Sequence, residues 1–423
     1  MSTFKLPPLW QQCLIFWALL CLIIIGFTDT MPQILAISDY LMTFHTAGFI
    51  AAHGLWNVLY PPEGTLSFAG APFDKQAHAL LPFMPASSVA EYMYMPLSAY
   101  IFAPFSLLAP AYSMVAWQLT CLAATYWGNF LTLGNRRRAL LASAAAFAFL
   151  PFTLTVWIGQ VGLVFGLLPL AAGCYLFKKE QYFFGGLTLA LLSLKPQMLV
   201  PAVFLLIFQL GRKRFAPLAA LITGTALIAQ FNYNLAGQTI FTAWMRCLAL
   251  SDKIYSDPAQ GVAVHLATSL PRAIVLSQPP ASHGAIKPLV YALAAALLLA
   301  GLFAVLNLAR SKSDISEGER LKFTFVLGAL ALPIVVPHLF IYDLGALVPA
   351  AFSIFFEEPE SEAGKRIQPG LKKILLAFWL IVSGYCLTLV INKDLAQPLV
   401  LVALMLGCYM SAVISLLRPP KQV

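Results

Sequence analysis

Trp10–Phe27 reads WQQCLIFWALLCLIIIGF, a run without a single Asp, Glu, Lys or Arg. Coiled as a helix at about 1.5 Å per residue, such a run nearly crosses a bilayer core of about 30 Å. The apolar residues are continuous and do not alternate, so they predict a helix and not a strand of a barrel. Comparable runs, roughly 15–22 residues each, recur to the far end of the chain. The chain is 60% hydrophobic and 10% charged, and no loop or tail is long enough to build a separate soluble domain. The reading is an all-α polytopic membrane protein, with 1–423 as one integral membrane domain. Trp10–Phe27 has the length of a signal peptide, but no small-x-small cleavage site follows cleanly, and Asp29, Pro32 and Asp39 come soon after. It is read as a retained first helix.

The formal charge of +9 raises the question of nucleic acid. The basic residues answer it, because they sit in short clusters between apolar runs: Arg136-Arg137-Arg138, Lys178-Lys179, Arg212-Lys213-Arg214, Arg320/Lys322, Lys372/Lys373 and Arg418/Lys421 among them. That is the pattern of cytoplasmic loops. Nucleic acid would need a contiguous basic stripe on an exposed face, so no nucleic-acid partner is expected. The cysteines lie mostly inside apolar runs, with no CxxC pair and no Cys/His cluster at metal spacing.

With every basic cluster placed inside, the charge pattern predicts about twelve crossings with both ends cytoplasmic. They fall at about 10–27, 112–133, 139–157, 160–177, 182–194, 198–211, 216–231, 288–309, 322–336, 344–357, 373–391 and 396–417. A first outer loop over 28–96 has Lys75 as its only Lys or Arg, and a second outer loop covers 232–287. Residues 94–110 are apolar but short, with Pro104 in the middle. A full crossing there would put Arg136–Arg138 outside, so a re-entrant or interfacial helix is expected.

This arrangement gathers the chemically interesting residues on one membrane face. Asp39 is a lone carboxylate just after the first crossing, where ionisable groups are costly and mark function. It is a candidate general base for a lipid-borne substrate. The blander reading is that Ser38 or Asp39 caps a helix running to about His53, whose Leu41, Phe44, Phe49 and Ile50 suit a helix lying in the interface. Lys195 interrupts an apolar stretch; it either holds a phosphate or snorkels beside Pro196. His338, after Pro337, either contacts a phosphate and assists proton transfer or is a structural histidine. Asp343 either caps the next helix or orients His338. Gln160, after Gly159, binds sugar hydroxyls or completes a turn. Tyr60, Tyr92, Tyr94 and Trp157 fit an interfacial belt, and sugar stacking is open to one or two of them. His45, His53 and His78 form no metal pattern, although Asp39, His45 and His53 together offer a cation site. There is no P-loop, GxGxxG, GxSxG, HExxH or DxD-type pair.

Five motifs in order resemble glycosyltransferase family 87, bacterial membrane enzymes of the GT-C class. They are Asp39 through Gly54 to Tyr60-Pro61-Pro62; Tyr94-Met95-Pro96-Leu97 with Pro104; Gly159-Gln160; Gly185-Gly186 with Leu194-Lys195-Pro196; and Pro337-His338 with Tyr342-Asp343. The resemblance spans about residues 10–350, and departs from the family's usual pair of prolines at Met95-Pro96. It implies a GT-C-like bundle with interfacial helices in the first outer loop. It also implies a polyprenyl-phosphate-hexose donor, often mannose, and transfer with inversion to a hydroxyl of a glycolipid or glycan outside the cytoplasm. The early outer-loop aspartate that acts as base in relatives maps onto Asp39, and the late-loop histidine onto His338. Lys195 is the residue expected at the donor phosphate. Gln160, Tyr94, Tyr342 and Asp343 are the expected substrate-binding residues. No cofactor and no metal are expected; the partners are the lipid-borne donor, the acceptor and membrane lipids, in the bacterial cytoplasmic membrane with the site facing the periplasm. Three other readings compete: a transporter or flippase for a lipid-linked glycan, which would show related halves and mid-membrane charges; a polymerase or ligase, which would show several arginines in a large outer loop, where 232–287 has only Arg246 and Arg272; and a non-catalytic assembly factor.

Overall fold

A computed structural model describes residues 8–28, 35, 38–255 and 264–417. Its centre is the helix Glu317–Val335. A capping box between Ser316 and Glu319 starts it, and every residue from Phe323 to Ile334 is buried. A helix apolar on all sides belongs in a core. Leu199–Gly211, His283–Arg310 and Pro398–Leu417 pack around it.

Among the described residues the regular structure is helical, apart from one isolated antiparallel bridge between Ala267 and Phe340. Three helices among the described residues are long and apolar enough to cross a membrane: Pro280–Arg310, Glu362–Ile391 and Pro398–Leu417. Two bent pairs raise the number to five if each is one span. The charge pattern predicts about twelve, and the difference has a physical cause. Several expected crossings are broken into short pieces. The stretch predicted at 139–157 turns by 84° between Arg136–Ala146 and Leu150–Ile158, where Pro151 lacks the N–H needed to continue a helix. Leu163–Lys178, Tyr182–Leu194, Pro196–Gly211 and Ile341–Phe355 are apolar but short. Such pieces, each of 10–17 residues, are shorter than the roughly 20 residues a helical span needs.

The segment 94–110 forms the helix Pro96–Ser106, which meets Pro110–Leu133 at 116°. In the predicted first outer loop, a π-helical turn at Tyr40–His45 leads into Thr46–Ala52. The apolar face expected to lie in the interface is instead buried in protein: Leu41, Phe44 and Ile50 are fully covered. Thr46–Ala52 crosses Pro96–Ser106 so closely that a Cβ on Gly48 would stand 2.5 Å from the Phe102 carbonyl oxygen. From Ala216 the chain is helical to Gly237, whose φ of 74° and ψ of 167° break the helix, and a second helical segment runs on to Tyr255. Much of the predicted second outer loop is therefore helix. Residues 29–34, 36–37, 256–263 and the Arg418/Lys421 cluster lie outside the described residues.

Candidate active site

One cavity of about 380 Å³ opens among the broken helices, the segment 89–95 and the helical stretch that ends at Tyr255. Asp39, Tyr94, Gln160, Lys195, His338, Tyr342 and Asp343 all line it. Residues separated by more than 300 positions in the chain are thus brought to one space, whereas Tyr60, Tyr92 and Trp157, offered for sugar stacking, are not in its lining.

Asp39 is half-buried and sits at the start of the π-helical turn. It makes no side-chain cap bond; Ser38 does that work, its Oγ accepting from the Leu41 N–H at 3.3 Å. The Asp39 carboxylate is free for other partners. Thr43 Oγ1 donates to Oδ1 at 3.1 Å, and the Gln160 side-chain amide donates to Oδ2. Burial raises the Asp39 carboxyl above the ordinary aspartate range, against the pull of these two hydrogen bonds and of Lys195. Neighbouring contacts fix the turn: Tyr40 stacks on Trp117 at 5.6 Å, and its hydroxyl pairs with Ser113 at 2.9 Å.

Gln160 reaches Asp39 because of Gly159. That glycine ends Leu150–Ile158 at φ 74°, and a Cβ there would lie 2.4 Å from Tyr40 Cβ. Only glycine accepts both the positive φ and the close approach. Trp117 Nε1 donates to the Gly159 carbonyl at 2.8 Å and locks the turn.

Lys195 stands at the break between the 3₁₀ turns Ala190–Leu194 and Pro196–Met198. It does not snorkel. It is 1% exposed, with Nζ 2.6 Å from Asp343 Oδ1 and 3.4 Å from Gln160 Oε1. A buried ammonium needs such a partner. The result is a continuous polar chain, Asp343–Lys195–Gln160–Asp39, in which Gln160 accepts from the cation and donates to the acid. Asp343 also accepts from the Phe340 N–H at 3.1 Å, which ties down the turn that carries it.

His338 has a different partner from the one expected. Asp252 Oδ1 lies 3.1 Å from its Nε2, and Lys287 Nζ is 3.3 Å from Asp252 Oδ2. The hydrogen bond to His338 pulls the Asp252 carboxyl down to about 2, so this acid stays charged beside the imidazole. The loop holding His338 is clamped by the segment at 267–269: Thr268 N–H donates to the Leu339 carbonyl at 2.8 Å and Ser269 Oγ to the Pro337 carbonyl at 3.1 Å. Tyr342 stacks on Phe340 at 5.3 Å, and Tyr94 meets Phe44 edge-on at 4.9 Å.

The cation site offered by Asp39, His45 and His53 does not form. His45 is buried against Ser113 at 2.9 Å, and His53 Nδ1 bonds the Phe49 carbonyl. Among the described residues no three His, Cys, Asp or Glu side chains come together as a metal site would need.

Four further cavity residues escaped the sequence reading: Glu91, Trp244, Asp252 and Tyr255. The last three, with Leu248 and Ser251, recur every three or four residues along one face of the helix that was read as loop. That helical spacing was the available signal. Glu91 carried only a weak one, a lone acid in the apolar run Ala90-Glu91-Tyr92-Met93-Tyr94.

A half-buried carboxylate with raised proton affinity, a buried ammonium and a carboxylate-backed imidazole thus face one cavity. Such a set can remove a proton from a hydroxyl at one end while stabilising negative charge at the other. The model of glycosyltransferase family 87 matches residues 92–337. No curated protein and no solved structure matches the chain. Tyr94, Gln160, Lys195, Asp252 and Tyr255 fall within the matched residues; Asp39, Glu91, His338 and Asp343 flank them.

Proposed function

Because the chain belongs to glycosyltransferase family 87, we propose that it moves a hexose, mannose in the first instance, from a polyprenyl-phosphate donor to a hydroxyl of a lipid-linked or envelope glycan. The transfer inverts the anomeric centre and takes place on the extracytoplasmic face of a bacterial cytoplasmic membrane. The observation that carries this reading is the cavity in which Gln160 links Asp39 to the buried Lys195–Asp343 pair, with His338 also in its lining.

The reaction is a direct displacement. The acceptor oxygen attacks the anomeric carbon and its proton passes to the Asp39 carboxylate. The bond from that carbon to the phosphate oxygen breaks, and its electron pair leaves with the lipid phosphate. Thr43 and Gln160 hold the carboxylate in place for the proton. Lys195 and the Asp252-backed His338 stabilise the charge growing on the phosphate. Tyr94, Gln160, Tyr342 and Asp343 shape the sugar's surroundings. Lys195 is already paired with Asp343, so its contribution is a fixed local field, and His338, with a third of its side chain exposed, is the more accessible phosphate contact. The donor's lipid tail stays in the bilayer, which suits a cavity at the membrane surface.

The test uses purified protein, radiolabelled polyprenyl-phosphate-mannose or its glucose and galactose analogues, and a lipid extract as acceptor. Transfer by the wild type that persists in chelator and falls by about 10²–10⁴-fold in Asp39→Asn is the expected result. Undiminished transfer in that variant would remove Asp39 as the base.

A further inference from the structure

Glu91 is the one carboxylate in the cavity that the displacement does not use. Its backbone is held from several directions. Both oxygens of the buried Asp74 accept at 2.7 Å, from the N–H groups of Gly70 and Ala90. Tyr60 donates to the Tyr94 carbonyl at 2.6 Å, and Trp244 Nε1 to the Met93 carbonyl at 3.0 Å. A side chain mounted on such a segment is pre-placed, as recognition requires. The Tyr255 hydroxyl donates to Glu91 Oε1; among the described residues no protein group donates to Oε2. The Tyr255 ring in turn lies 6.2 Å from the His338 ring. Glu91 is also close enough to Asp39 for the two charges to repel. It thus shares one cavity with the proton acceptor and, through Tyr255, adjoins the imidazole; the sugar ring must lie in that cavity if Asp39 faces the attacking hydroxyl and His338 the phosphate.

Resting on the glycosyltransfer reading above, we propose that Glu91, positioned by Tyr255, hydrogen-bonds the ring hydroxyls of the donor hexose and sets which hexose the enzyme accepts. Burial, reinforced by Asp39, pushes the Glu91 carboxyl up to about 8. At neutral pH it is largely protonated, so it can donate to one hydroxyl oxygen and accept from another. A site built to hydrogen-bond a hydroxyl discriminates strongly against a ring that lacks it or presents it wrongly, because the buried polar group is then left unpaired.

The experiment compares wild type, Glu91→Gln, Glu91→Ala and Tyr255→Phe, with the exposed-site variant Glu63→Gln as control. Each is given polyprenyl-phosphate-linked mannose, glucose and galactose with one lipid extract, and kcat and KM are measured for each donor. Glu91→Ala is expected to raise KM for the preferred donor about tenfold or more, the value of one lost hydrogen bond, and to level the preference among the three. Glu91→Gln keeps a donor and an acceptor and should retain the preference. Tyr255→Phe, a smaller change should Glu91→Ala fold poorly, should erode the preference partway. Donor KM and preference equal to wild type in both Glu91→Ala and Tyr255→Phe would overturn the assignment, as would a change in acceptor preference alone. A wild type that transfers none of the three hexoses would bring down the glycosyltransfer reading itself; a wild type that transfers one while the variants match it would bring down only the role of Glu91.

Discussion

Gln160 holds Asp39 and Lys195 in one hydrogen-bonded chain while keeping their charges apart. Direct pairing would lower the acid's proton affinity and spoil it as a base. Burial instead raises the Asp39 carboxyl, which has two measurable consequences. A protonated acid cannot take the acceptor's proton, so kcat/KM falls as pH drops through the raised value. The acid limb is expected above the pH where an exposed aspartate titrates, about 3.9. The same shift means the folded state binds this proton more tightly than the unfolded chain. The carboxyl therefore favours folding at low pH, and that contribution is lost as pH rises through the folded value. Asp39→Asn should consequently unfold no earlier than wild type at neutral pH while losing transfer, as checked by thermal unfolding beside activity. Lys195 and Asp343 obey the opposite logic. Both are almost wholly buried, so removing one leaves the other charge unpaired. Lys195→Ala should cost about 3–5 kcal/mol of stability, and Lys195→Ala with Asp343→Asn should cost less than the sum of the two. A thermal double-mutant cycle in detergent would show an additive result if the pair were not coupled.

At the scale of the element, the site depends on interruptions. Gly159, the breaks on both sides of Lys195 and the π-helical turn after Asp39 each deliver a polar side chain that a continuous helix would point elsewhere. Gly159→Ala tests this. It forces a Cβ into a left-handed residue and onto Tyr40, at a cost of about 1–3 kcal/mol. Because Gln160 is carried on the same turn, transfer should fall well beyond what lost stability explains; a variant equally active per folded molecule would show that the turn does not position Gln160. The glycine-glutamine pair and the lysine-proline pair were legible in sequence because Gly and Pro mark breaks by their own backbone chemistry. The helical segment between Gly237 and Tyr255 was not legible as such. Its polar residues and Gly237 read as loop, although Trp244, Leu248, Ser251, Asp252 and Tyr255 keep helical spacing along the wall of the cavity.

For the whole molecule, charge and helix length give different counts. Basic clusters between apolar runs predict about twelve crossings, whereas among the described residues three to five helices have the length and hydropathy of a span. The bent pair Pro96–Ser106 and Pro110–Leu133 decides the handedness of everything after it. If Pro96–Ser106 is re-entrant and only Pro110–Leu133 crosses, Arg136–Arg138 is cytoplasmic. A reporter fused after Arg138 is expected to be active only in the cytoplasm; activity outside would invert the membrane orientation of every later segment and so overturn the face assigned to Gln160, Lys195 and His338.

The sequence alone determined the helical class, the membrane setting and the identity of the polar residues worth watching, because continuous apolar runs and isolated charges have few physical explanations. Only the tertiary structure decided the partners. That Lys195 pairs with Asp343, that His338 leans on Asp252 and that Glu91 faces the cavity all depend on how broken helices pack. Those contacts join residues far apart in the chain, and no local spacing encodes a distance across a folded interior.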